Sequence, residues 1–145
     1  MYSSPEYREF RDYLHANGMN VTPERMEVLS LVLKQKGHFR IEDLIRNSAR
    51  RKKSISRATI YRSLKAIEQA GLIKSIRSIH DEKIFEIVKG HHDHMICELC
   101  GAIIEFYDLD LESLQDKICD SQDFLPSRHV MKIFGTCSIC RNKKD

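Results

Sequence analysis

Apolar and polar positions alternate along this chain in two different ways, helical in the front half and mixed in the back. Phe10, Tyr13 and Leu14 fall at helical spacing after Ser4-Pro5, a pair that can open a helix. Thr22 followed by Pro23 supplies an N-cap and a proline at the first helical position, and the stripe Met26, Leu29, Val32 and Leu33 runs on from it. Ile41, Leu44 and Ile45 mark a shorter third helix. The basic run Arg50-Arg51-Lys52-Lys53 leads into a fourth, capped by Ser56. There Ile60, Leu64 and Ile67 are spaced i, i+4, i+7 and face a core, and Gly71 closes the helix as a glycine C-cap does. Residues 73–79 and 83–87 read as two strands about a tight turn at His80-Asp81-Glu82. Helices followed by a two-stranded hairpin is the order of a winged helix.

Beyond a boundary near residues 88–90 the pattern shortens. Residues 102–106 are strand-like, and Leu111, Leu114 and Ile118 mark a helix after Asp108 or Asp110. Residues 129–134 return as a strand that ends at Gly135. The expected fold class is α+β, with a winged helix-turn-helix domain over 1–88 and a small α/β domain over 89–145. No internal repeat or low-complexity linker interrupts it.

Charge separates the same two parts. Through Phe85 there are 17 Lys/Arg against 10 Asp/Glu, and from Glu86 onward 7 against 11. A cationic half joined to an anionic half suggests two tasks, the first of them contact with a polyanion. On the fourth helix Arg57, Tyr61, Arg62 and Lys65 stand where a recognition helix would meet a major groove. Arg can bond a guanine edge and a Tyr ring can pack on a thymine methyl. The competing reading is a solvated helix face with ordinary charges. No apolar run approaches a membrane span, and MYSSPEYREF carries no signal-peptide core, so no membrane partner and a cytoplasmic location are expected.

Four of the five cysteines form two Cys-x-x-Cys pairs, Cys97/Cys100 and Cys137/Cys140. In a reducing compartment such pairs point to metal rather than disulfides, and four thiolates make a closed tetrahedral zinc site. Cys119 stands apart and reads as a small core residue of its helix. Just upstream lies His91-His92-Asp93-His94. If extended, it turns His92 and His94 to one face and His91 and Asp93 to the other. One short segment could then serve two metal sites, completed by residues among His38, Glu86, Glu105, Glu112 and His129. Nitrogen and oxygen donors without thiolate suit Fe(II), Mn(II), Co(II) or Zn(II).

Three stretches, SISRATIYRSLKAIEQAGLI, HHDHMICELCGAIIEF and Cys-Ser-Ile-Cys near the end, closely resemble the ferric uptake regulator family, and the likeness runs from about Val21 to Cys140. The resemblance implies a metal-dependent, DNA-binding repressor whose back half dimerises. It assigns Cys97, Cys100, Cys137 and Cys140 to a structural zinc site. His38, Glu86, His92, His94 and Glu105 map onto the regulatory site bridging the two domains, and His91, Asp93, Glu112 and His129 onto a further metal site. Peroxide-sensing relatives commonly carry Asp in place of Glu105 and often Asn in place of Arg62, so both positions resemble the iron-responsive branch. The implied ions are structural Zn(II) and regulatory Fe(II), with Mn(II) or Zn(II) as alternatives; the implied partners are a homodimer mate and an AT-rich palindromic operator, in control of iron homeostasis. One departure is His15-Ala16-Asn17-Gly18, where family members often carry Lys or Arg before the glycine to reach the minor groove.

Two other classes compete. A zinc enzyme would keep an open coordination position beside a general base, and the deaminase pairing of His-x-Glu with Pro-Cys-x-x-Cys is missing. No enzyme is expected. A zinc-stabilised nucleic-acid-binding module without metal sensing would bind DNA indifferently to added metal. Peroxide, zinc and manganese sensors remain the alternatives within the family.

Overall fold

The computed structural model describes residues 2–143. The chain divides into two compact units, Met1–Lys89 and Gly90–Asp145.

The first unit runs α1 (Pro5–Ala16), α2 (Pro23–Leu33), α3 (Ile41–Ala49), α4 (Arg57–Gln69), β1 (Ile73–Arg77) and β2 (Lys83–Ile87). Its core joins Phe10 and Leu14 of α1, Leu29 of α2, Leu44 of α3 and Ile60, Leu64 and Ile67 of α4. These are the positions that helical spacing turns inward. The Thr22 hydroxyl accepts from Arg25 N and the Ser56 hydroxyl from Thr59 N, so both expected caps are formed. At the end of α4, Leu72 N donates to Ile67 O and Gly71 N to Glu68 O, with Gly71 at φ +81°. That paired pattern needs a left-handed residue, which glycine adopts without penalty.

β1 and β2 form an antiparallel hairpin with Lys74 opposite Glu86 and Ser75 opposite Phe85. The first strand stops at Arg77, two residues earlier than the sequence suggests. The Ser78 hydroxyl accepts from His80 N and Glu82 N, and Asp81 takes a positive φ, so residues 78–82 form the turn. Phe39 adds a short third pairing: it exchanges both backbone hydrogen bonds with Phe85, at 2.9 and 2.8 Å. Four helices with this hairpin make a winged helix.

The second unit is a three-stranded sheet, ordered β4 (Ile103–Phe106), β3 (Asp93–Cys97), β5 (Lys132–Gly135), with α5 (Leu109–Ser121) and a short α6 (Ser138–Asn142). β3 pairs antiparallel with β4 and parallel with β5. Asp108 caps α5 by accepting from Leu111 N. β5 begins at Lys132, later than the pattern suggests, because its first partner is His94 near the start of β3. Residue 129 therefore lies outside the ladder, and β4 likewise starts one residue late.

This unit has almost no apolar interior. Ile96 and Cys97 are its buried hydrophobics among the described residues. Across the sheet Ile104, Met95 and Ile133 form an exposed row, and Leu114 and Ile118 of α5 are more than half exposed. Cys119 is half-buried, so it is not the core residue expected. No helix among the described residues is long and apolar enough to cross a membrane.

Candidate metal centres and nucleic-acid interface

The buried stripe of α4 fixes what its other face presents. With Ile60, Leu64 and Ile67 inward, Arg57, Tyr61, Arg62 and Lys65 are all exposed, Tyr61 at 49%. A groove of about 1210 Å³ runs beside this face, lined by Tyr61, Arg62, Lys65, Arg40, Arg46 and Lys83 together with acidic partners. Lys83 of the wing holds Glu68 of α4 at 2.8 Å, and Arg40 holds Glu82 at 2.9 Å. Partial burial works against Glu68, but hydrogen bonds from Lys83 and Ser75 outweigh it and keep its carboxyl below the ordinary 4.5. The stretch before α2 that lacks the expected cation has Arg25 nearby, which with Gly18, Asn20 and Arg62 lines a second hollow of about 510 Å³. The sequence reading did not single out Arg25.

The four cysteines converge. Cys97 ends β3, Cys100 sits in the turn after it, and Cys137 and Cys140 bracket the first turn of α6. Their sulfurs lie within 4.8 Å of one another, and Cys100 Sγ is 3.7 Å from Cys137 Sγ. A disulfide would need about 2.05 Å, whereas thiolates about 2.3 Å from a tetrahedral ion stand about 3.8 Å apart. Backbone N–H groups reinforce the arrangement: Cys137 N donates to Cys97 Sγ at 3.3 Å and Cys140 N to Cys137 Sγ at 3.5 Å. Donors from the Cys100 backbone, then that of Cys137, draw the Cys97 thiol down to about 6. Hydrogen bonding to Cys137 and then Cys100 pushes the Cys140 thiol up to about 12. Such a cluster stabilises one thiolate readily, but four only around a cation.

A second cluster gathers His91, Asp93, Glu112 and His129, with donor atoms all within 4.8 Å. His91 Nε2 is 3.5 Å from Asp93 Oδ1 and 3.2 Å from Glu112 Oε1; His129 Nε2 is 3.7 and 3.4 Å from the same two atoms. Donors about 2.0–2.2 Å from a tetrahedral ion would stand about 3.3–3.6 Å apart. Asp93 is 1% exposed, and among the described residues neither of its carboxylate oxygens has a hydrogen-bond partner, nor do Glu112 Oε1 and His129 Nε2. Buried carboxylate oxygens in that condition are costly unless a cation meets them.

The remaining ligand candidates fall in both units. In the first, the Phe39–Phe85 pairing sets His38 beside Glu86, with His38 Nε2 2.9 Å from Glu86 Oε2. Lys74, opposite Glu86 in the hairpin, reaches the other oxygen at 3.2 Å. Glu86 itself is 2% exposed. Sequence reasoning missed Lys74, because its partner depends on the register the hairpin adopts. In the second unit, the His92 and His94 rings stand 4.8 Å apart edge to face, and His92 Nε2 is 3.7 Å from Glu105 Oε1. Glu105 is His94's neighbour across the β3–β4 ladder.

Residues 16–134 match the model of the ferric uptake regulator family. The chain belongs to that family. Its members are metal-dependent transcriptional regulators rather than enzymes. The ferric uptake regulation protein of Neisseria gonorrhoeae is 36% identical over 132 residues, covering 90% of this chain and 92% of its own. The peroxide operon regulator of Bacillus subtilis is 27% identical over 140 residues, with 97% of each chain covered. Among solved structures, the Helicobacter pylori ferric uptake regulator, described as having three functional metal binding sites, superposes with a TM-score of 0.85 at 28% identity. It covers 97% of this chain, which covers 94% of it. Family membership makes DNA binding a property of the chain.

Proposed function

We propose that this member of the ferric uptake regulator family is an iron-responsive repressor that acts as a cytoplasmic homodimer. Residues 1–88 read DNA and residues 89–145 bind metal and dimerise. Arg57, Tyr61, Arg62 and Lys65 of α4 meet the operator, an AT-rich palindrome upstream of iron-homeostasis genes. Cys97, Cys100, Cys137 and Cys140 hold a permanent zinc ion, and the sulfur spacing supports that assignment. His91, Asp93, Glu112 and His129 hold a further divalent ion, supported by the unpartnered oxygens of Asp93.

His38 and Glu86, together with His92, His94 and Glu105, take the regulatory Fe(II). The observation that carries this reading is the buried Glu86 carboxylate beside His38 in the DNA-reading unit, an oxygen and nitrogen pair that is an incomplete ligand set alone. A divalent ion held by these residues would neutralise the carboxylates. The chain's own residues do the rest: Phe39 pairing fixes His38, β2 places Glu86, and the β3–β4 ladder sets Glu105 beside His94. All donors are imidazole or carboxylate, a set that releases metal more readily than thiolates do.

The test is fluorescence anisotropy of zinc-loaded protein on promoter duplex, titrated anaerobically with Fe(II), Mn(II) or Zn(II) at fixed salt. A tenfold or greater tightening by Fe(II), about 1.4 kcal/mol of coupling, is expected and should disappear in His38→Ala. Metal-independent binding would instead favour a zinc-stabilised DNA-binding module. The likeness to the B. subtilis regulator favours a second reading, peroxide sensing. It requires that stoichiometric hydrogen peroxide abolish operator binding by the Fe(II) form while sparing the Mn(II) form.

A further inference from the structure

The two oxygens of Glu86 face two different groups, an imidazole and an ammonium. Oε2 meets His38 Nε2 at 2.9 Å, and Oε1 meets Lys74 Nζ at 3.2 Å. The second pairing is built into the hairpin: Lys74 lies directly opposite Glu86 in the β1–β2 register, so both side chains leave the same face of the wing. Glu86 is buried, whereas the Lys74 side chain is 38% exposed. A carboxylate withdrawn from water in this way needs a compensating charge, and Lys74 supplies one that can also swing out into solvent.

We propose that Lys74 competes with the regulatory metal for Glu86 and so sets the metal concentration at which the regulator responds. This deepens the reading of His38 and Glu86 as regulatory ligands and rests on it. A divalent ion drawn to Glu86 meets a carboxylate already neutralised, and an ammonium left beside it repels the incoming charge. Either Lys74 leaves, or the ion binds against a like charge; both routes weaken affinity. A neutral residue at position 74 removes the competitor, while Arg preserves it.

The experiment measures Mn(II) affinity of the full-length, zinc-loaded protein by electron paramagnetic resonance of the free ion, at fixed pH and salt. Wild type is compared with Lys74→Met, Lys74→Gln, Lys74→Arg and Glu86→Gln. Two neutral variants are included so that a folding defect in one does not decide the matter, and zinc content and circular dichroism check each. The expected result is Mn(II) affinity at least about fivefold tighter in Lys74→Met and Lys74→Gln. Lys74→Arg should stay within about twofold of wild type, and Glu86→Gln should bind much more weakly. If Glu86→Gln weakens binding but the neutral Lys74 variants bind as wild type or worse, Lys74 is only a structural partner and the proposal is overturned. If Glu86→Gln leaves affinity unchanged, Glu86 is not a ligand, and the regulatory-site reading falls with it.

Discussion

Replacing Cys100 by Ser should dismantle the second unit and leave the first standing. Cys100 is the exposed member of the cluster, so its removal opens no cavity in a core. The second unit buries Ile96 and Cys97 as its apolar interior among the described residues. Full burial of a side chain such as Ile96 contributes about 1.5–3 kcal/mol. A structural zinc ion held by thiolates contributes about 10–16 kcal/mol, several times more, and comparable to the whole stability of an ordinary domain at about 5–15 kcal/mol. In the proposed reading zinc would therefore be the dominant local term in this unit. By contrast the first unit buries Phe10, Leu29, Ile60 and Ile67 completely and needs no such ion. Hydrogen exchange with mass spectrometry on the full chain, beside size-exclusion with light scattering, reads both consequences. In Cys100→Ser, or in wild type after zinc is chelated, β3–β5 and α5 should exchange within seconds and the dimer should dissociate, while α2 and α4 keep wild-type protection. A zinc-free protein that stayed dimeric with β3 still protected would refute the reasoning. It would mean that packing, not the ion, holds this unit.

Other consequences are read with simpler assays. Arg57→Ala together with Tyr61→Ala should abolish preference for promoter over scrambled duplex in anisotropy, with each lost base contact weakening specific binding by about 1–3 kcal/mol. Lys52 and Lys53 lie exposed in the loop just before α4. Neutralising both should lower the slope of log affinity against log salt by about 1–2 on specific and scrambled duplexes alike, because phosphate contacts carry no sequence information. Asp93→Asn should reduce, without abolishing, the rise in Tm on adding divalent metal to zinc-loaded protein, because it removes the buried carboxylate of one of the two proposed exchangeable sites. Glu68 sits below its ordinary value when folded, so its stabilisation is complete above about pH 4.5 and fades as pH falls through the folded value. Glu68→Gln should cost under about 1 kcal/mol at neutral pH for a pair this accessible to solvent, and the small Tm gap from wild type should close in acid.

The first unit was legible because every signal in it is local. Thr22 and Ser56 cap the helices they precede, Gly71 ends α4, and helical spacing alone picks out Ile60, Leu64 and Ile67. Where the strand and helix limits differ, the cause is hydrogen bonding or pairing that hydrophobic periodicity does not register. The wing strand ends at Arg77 because the Ser78 hydroxyl captures the turn, and β5 starts at Lys132 because its partner strand begins only one residue before His94. α6 is too short to show a period. Leu114 and Ile118 announce an apolar face on α5, but spacing cannot say that the single chain leaves it uncovered. The same limit applies to the metal clusters. Alternation separates His92 and His94 from His91 and Asp93, yet nothing local says that Glu112 and His129 would close on Asp93; that came from the family resemblance. Lys74 stayed invisible because its partner is set by the register of the hairpin.

The two classes of donor would also explain how one chain could keep one metal and exchange another. Affinities at a given nitrogen and oxygen site rise from Mn(II) through Fe(II) toward Zn(II), so donor type alone cannot make such a site prefer iron. Selection then falls to availability and to features that penalise tight binding generally. Four thiolates around a zinc ion would close a tetrahedron and leave no position for exchange. At Glu86 the resident ammonium of Lys74 acts in the opposite sense. It leaves the buried carboxylate compensated in the absence of metal and weakens whatever ion arrives, so that occupancy follows the free concentration of an abundant, weakly held cation instead of saturating with a scarce, tightly held one.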